Sequence, residues 1–147
     1  MGPNASDLRN LADGYFGLNQ VFIINIVLNF ASRLLGQVST PQTVWFIIFG
    51  YAIVMMAAIT ALTLPHNKKI AAGMGWDPSK ATLASVLMGL NSAFCCGIIG
   101  YIIMQSYAAK KFREAGAPRS FFGFKKAELY AFIDQLQYQQ GQTNQTF

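Results

Sequence analysis

The chain has 147 residues, a formal charge of +5, and a composition of 53% hydrophobic against 12% charged residues. An average soluble domain is about 25% charged, so too few charges remain here to coat a water-facing surface. The length fits one small domain, and three stretches without Asp, Glu, Lys or Arg (Gly14–Ser32, Leu34–Asn67 and Ala81–Ala109) are each long enough to cross a bilayer.

Asn4–Tyr15 reads as a short interfacial lead-in. Leu8, Leu11, Ala12 and Tyr15 share one helix face, and Ser6 or Asp7 supplies a cap. The first span is expected at residues 16–35. It is interrupted by Asn19, Gln20, Asn25, Asn29 and Ser32 and closed by Arg33. The second is expected at residues 42–64. Thr40-Pro41 provides a cap and a proline at the first helical position, and Pro65 ends the helix. Pro65–Trp76 then forms a loop carrying His66, Lys68 and Lys69.

Asp77-Pro78 repeats the cap-plus-proline signal. The third helix should run from Pro78 to Ala115, about 57 Å at ~1.5 Å per residue. Its membrane part is residues 81–107, its charged C-terminal part stands in water, and Gly116 and Pro118 stop it. Ser120–Phe124 is an aromatic hinge. Lys125–Tyr138 reads as a fourth, amphipathic helix with Leu129, Phe132, Ile133 and Leu136 on its apolar stripe, suited to the membrane surface or a partner. Gln139–Phe147 is polar and expected to be disordered.

The fold expected is therefore all-α: an integral membrane protein with three transmembrane helices in residues 1–116, and an amphipathic helix with a polar tail in residues 117–147. No cleavable signal peptide is expected, and Gly2 followed by Pro3 is a poor myristoylation site. Three crossings set Arg9, Lys68, Lys69 and Lys80 on one side. Arg33 and the six basic residues Lys110, Lys111, Arg113, Arg119, Lys125 and Lys126 fall on the other. The positive-inside rule then places the C-terminus in the cytoplasm and the N-terminus outside; a bacterial inner membrane is the expected setting, because no organelle signal is visible. Were the first segment only interfacial, the N-terminus would move inside.

Two residue patterns suggest interaction. Ser85, Gly89, Ala93 and Gly97 recur every four residues, and Ser92, Cys96 and Gly100 form a second row. Small residues let helix backbones approach closely where water gives no help. These rows suit packing of the third helix on the first two, pairing of copies, or binding of another subunit. Asn25, Asn29 and Arg33 form a polar stripe. In lipid such groups need protein or water, either by hydrogen bonding to Asn91, Ser92 or Gln105 or by lining a pore.

The residues argue against several chemistries. The adjacent Cys95 and Cys96 lack CxxC spacing and read as packing residues. His66 is the sole histidine, read as a solvated loop residue, and no metal-ligand spacing is present. All six acids, Asp7, Asp13, Asp77, Glu114, Glu128 and Asp134, fall outside the expected spans, against proton-driven transport. No catalytic set, metal site or cofactor is expected. The basic tract beside the third span reads as a membrane flank rather than a nucleic-acid surface. Partners are membrane lipids and other membrane subunits or copies of the chain. The expected function is a non-catalytic membrane subunit that anchors, scaffolds or completes a larger complex. The alternatives are a self-assembling, holin-like pore and a small membrane enzyme acting on lipid.

Overall fold

The structure, a computed structural model, describes residues 4–37, 41–95, 98–120 and 123–143. They are all-α: α1 (Ala5–Gln37), α2 (Pro41–Met74), α3 (Pro78–Cys95), α4 (Ile98–Glu114) and α5 (Lys126–Thr143). Strand-like pairing among them is limited to an isolated bridge between Ser120 and Gly123. Two of the five helices, over Ala5–Leu34 and Trp45–Met74, are long and apolar enough to cross a membrane.

The expected lead-in and first span are one helix. Asn4, rather than Ser6 or Asp7, caps it: its side chain accepts the Ser6 N–H at 3.2 Å. The face Leu8, Leu11, Ala12 is buried, with Tyr15 packed against it.

α2 starts at the anticipated Pro41 but does not stop at Pro65, which lies inside it. Proline removes one backbone hydrogen bond and crowds the preceding turn. Here the helix beyond it is held by tertiary contacts. Ile70 and Ala71 are buried, Asn67 donates to Ser85 Oγ at 2.8 Å, and Lys69 reaches Asp13 at 2.9 Å. The expected 65–76 loop is thus helical through Met74, and only Gly75 adopts a positive φ, at 66°.

The largest correction concerns the expected third span. It is not one long rod. α3 ends at Cys95 and α4 starts at Ile98; Cys96 and Gly97 lie outside the described residues. α4 returns along α3. Trp76, before α3, meets Tyr107 of α4 edge-on at 5.0 Å, and Gly100 lies so close to Met88 that a Cβ on it would sit 2.7 Å from Met88 Cγ. The folded pair buries Tyr101, Met104, Ala108 and Phe112, of which Ala108 and Phe112 belong to the part of the rod expected to stand in water. Gly116 does end α4 as expected: at φ 80° it lets Ala117 N–H reach Phe112 O at 2.9 Å.

α5 continues to Thr143, beyond the expected Tyr138, so Gln139–Thr143 is helical rather than disordered. Its apolar stripe is met by the chain itself. Leu129 and Ile133 are buried, and Phe132 and Leu136 pack against the same core. Of the expected aromatic hinge, Phe124 packs edge-on to Phe112 at 5.1 Å, while Phe121 and Phe122 lie outside the described residues.

The helices thus form two antiparallel hairpins, α1–α2 and α3–α4, with α5 laid on α1. All six acids and every Lys or Arg except Arg33 gather at the end where α1 begins and α4 finishes. The N-terminus and α5 meet there: Ala5 N–H donates to Gln140 Oε1 at 3.2 Å, and Arg9 pairs with Asp134 at 3.3 Å. The start of α1 and the C-terminal helix, expected on opposite sides of a membrane, therefore lie together, because the α3–α4 turn-back adds one reversal to the expected chain path.

Candidate functional site

The small-residue row of α3 faces α2. A Cβ at Gly89 would collide with the Thr60 hydroxyl and lie 2.6 Å from Met56 O, so the two backbones nearly touch. Ser85 and Ser92 are buried and return their hydroxyls to Ala81 O at 2.9 Å and Gly89 O at 2.6 Å, which hides polar atoms inside their own helix. Gly100 of the second row meets α3 instead, at Met88. Cys96 and Gly97, and the side chain of Ala93, lie outside the described residues.

The polar stripe divides. Asn25 is fully buried, and Asn29 donates to its Oδ1 at 2.7 Å and to its backbone oxygen at 2.9 Å. Arg33, one turn further, is exposed. Gln105 donates to Asn19 Oδ1 rather than to the stripe, and Ser92 is occupied within α3. The amide that sequence reasoning missed is Asn67. Once α2 runs through Pro65, Asn67 lies fully buried between α2 and α3, donating to Ser85 Oγ and to Met88 Sδ at 3.5 Å. Read as part of a loop, it gave no signal.

The densest polar constellation lies where α1, α2 and α5 meet. Asp13 receives Lys69 Nζ at 2.9 Å on one oxygen and the Tyr130 hydroxyl on the other. Tyr130 also stacks on Phe16 at 6.2 Å. Burial, and then the hydrogen bond to the Asp13 carboxylate, push the Tyr130 hydroxyl up to about 12. His66 lies against Gly17, where a Cβ would occupy the space of the imidazole. His66 is therefore a half-buried helical residue, not the solvated loop residue expected. A Cβ at Gly14 would similarly lie 2.7 Å from His66 O. These glycines of α1 set how closely α2 approaches.

The basic residues of the C-terminal half are exposed or half-exposed. Lys110 and Lys111 flank Glu114 at 4.0 and 3.3 Å, and Lys125 pairs with Glu128 at 2.8 Å. No cluster of three or more His, Cys, Asp or Glu side chains suited to a metal ion occurs among the described residues. No protein family, curated protein or solved structure matches the chain.

Proposed function

We propose that this chain is a non-catalytic integral membrane subunit that anchors or completes a larger complex by helix packing. One observation carries the reading. The α1–α2 hairpin outreaches the α3–α4 hairpin and presents large apolar side chains that nothing else among the described residues covers. α1 and α2 have 33 and 34 residues, α3 and α4 only 18 and 17. Taken from the contacts of Gly89 with Met56 and of Tyr101 with Phe22, α1 and α2 continue roughly 15 Å past the tip of the shorter pair. Phe30, Trp45, Phe46 and Phe49 on this extension are each at least 65% exposed. Such a step in lipid offers a seat for helices of another subunit.

The charge distribution supports an orientation. Ten of the eleven Lys and Arg residues sit at the charged end, which the positive-inside rule assigns to the cytoplasm. Both chain ends then lie on that side, and Lys68-Lys69, which opposes the three-span arrangement, agrees with this one. The pore reading draws less support, because Asn25 is enclosed and bonded to Asn29 rather than presented on a surface.

The test is mild-detergent extraction of native membranes, with the particle mass determined and its components identified. Different proteins co-purifying at fixed ratio support the subunit reading. A particle built only of this chain, or a bare monomer, overturns it.

A further inference from the structure

The polar constellation borders a cleft of about 240 Å³ between α1, α2 and α5, lined among others by Asp13, Gln20, His66, Lys69, Lys126 and Tyr130. Its position along the helices is informative. Gln20 directly precedes the apolar run of α1 that starts at Val21, and His66 follows the apolar run of α2 that ends at Leu64. The cleft therefore sits at the level where both helices pass from apolar to charged surroundings, the depth of a lipid headgroup. We propose that it holds the phosphate diester of an anionic phospholipid, with the acyl chains running along the exposed apolar faces of α1 and α2.

The chemistry of the lining fits that ligand. Two lysines against one carboxylate leave the cleft a formal charge of +1, matched to the single negative charge of a phosphodiester. Lys69 spends one N–H on Asp13 and keeps two donors. Lys126 makes no ion pair among the described residues, and it brings three donors from the first turn of α5. Asp13 is occupied by Lys69 and Tyr130, so its charge is already answered inside the cluster. The Nδ1 atom of His66 is buried without a hydrogen-bond partner and lies against Gly17. A proton there would have no acceptor, so the neutral ring carries it on Nε2 as a further donor. Basic pockets between membrane helices on the cytoplasmic side bind lipid headgroups on the same principle.

The inference rests on membrane embedding and not on the subunit role, and the full purified chain tests it alone. In detergent, binding of phosphatidylglycerol is followed by native mass spectrometry for the wild type, Lys126→Glu and Lys125→Glu. Lys126→Glu reverses a charge in the cleft, yet an acid in the first turn suits the helix dipole, so α5 should still form; circular dichroism checks this. Lys125 pairs with Glu128 and does not line the cleft. The expected result is an affinity loss of about tenfold for Lys126→Glu, little change for Lys125→Glu, and weak competition by glycerol 3-phosphate, which lacks the acyl chains. Equal losses in the two variants would mean diffuse surface attraction and overturn the site. Glycerol 3-phosphate binding as tightly as the lipid would overturn the lipid assignment in favour of a free phosphate ester. Failure to find partner subunits leaves this test untouched.

Discussion

At the charged end, α1 is enclosed by α2, α4 and α5, and Leu8, Leu11, Ala12, Leu18, Phe112 and Ile133 form a continuous core. At the apolar end, α1 and α2 continue alone, and the side chains of Phe30, Trp45 and Phe46 stand in the open. The two regions reverse the arrangement of a water-soluble protein. Where charges are dense the apolar groups are hidden, and where charges are missing they are shown. Water drives burial at the first end. At the second, in the proposed membrane setting, lipid is as apolar as leucine and gives helices no reason to cover one another, so only close backbone contacts such as Gly89 on Met56 are held.

The sharpest way to break this comparison is topological, and its outcome is all-or-none. Single cysteines at Ser6 and Gln142, in a background without Cys95 and Cys96, should react with an impermeant maleimide from the same side of sealed vesicles. A cysteine at Arg33 should react from the opposite side only. Labelling of residues 6 and 142 from opposite sides would contradict the shared charged end.

The next effect concerns the enclosed core. Ile133→Ala removes a fully buried side chain between α5 and α1 and should cost about 2–5 kcal/mol of α5 docking. Limited proteolysis would register it as new cleavage in α5. If the variant resists cleavage like the wild type, α5 is held by something other than its apolar stripe.

Two glycines of the apolar half make a matched pair. Gly89→Ala places a methyl against Thr60 and the Met56 carbonyl and should destabilise the bundle by about 1–3 kcal/mol. A methyl added at Gly50 would meet no atom within 4 Å, so Gly50→Ala should be neutral or stabilise by about 0.5–1 kcal/mol. Thermal unfolding in detergent separates them. Equal sensitivity would mean that the uncovered extension is packed after all.

These contrasts mark what could be read from residues alone. Pro41 and Pro78 mark the starts of α2 and α3, because proline at a first helical position acts locally; Thr40, the expected cap of α2, lies outside the described residues. The stripe Leu129–Leu136 defines α5, because amphipathic spacing is a property of one helix. Pro65 misleads for the opposite reason. Its local penalty is visible, while the contacts of Asn67, Lys69 and Ile70 that carry α2 beyond it come from residues far away in the chain. The turn-back of α3 onto α4 is hidden because Ala81–Ala109 is uniformly uncharged, and hydropathy cannot tell one long helix from two short ones. The cluster of Asp13, His66, Lys69 and Tyr130 depended on both errors. With α2 stopped at Pro65, His66 and Lys69 fall in a loop with no fixed place beside Asp13, and Tyr130 falls on the opposite side.

Within that cluster the effects become smaller. Asp13→Asn removes the partner of Lys69 and weakens the bond from Tyr130. Both members of the ion pair are at least one-third exposed, so screening holds the cost to about 1 kcal/mol. The Tyr130 hydroxyl, at about 12 in the wild type, should fall towards its ordinary value of about 10. Because the raised value favours the protonated form, its contribution to stability is full below pH ~10 and is lost as pH rises through about 12. A tyrosinate absorbance titration of wild type against Asp13→Asn would detect the shift, and superimposable curves would refute the bond.

The smallest effect belongs to the feature that draws the eye first. Arg9 and Asp134 join the two ends of the chain at 3.3 Å, yet their side chains are 53% and 59% exposed. At physiological salt, charges are screened over about 8 Å, and exposed pairs contribute a median of about 0–1 kcal/mol. A double-mutant cycle of Arg9→Ala and Asp134→Ala should return a coupling below about 0.5 kcal/mol, and added salt should leave α5 docked. A coupling several times larger would mean that charge pairing fastens the end where charges gather. A small one, beside the large cost of Ile133→Ala, gives the charges a different role. On the proposed membrane reading they fix which side of the bilayer this end occupies, while buried leucine, isoleucine and phenylalanine hold it together.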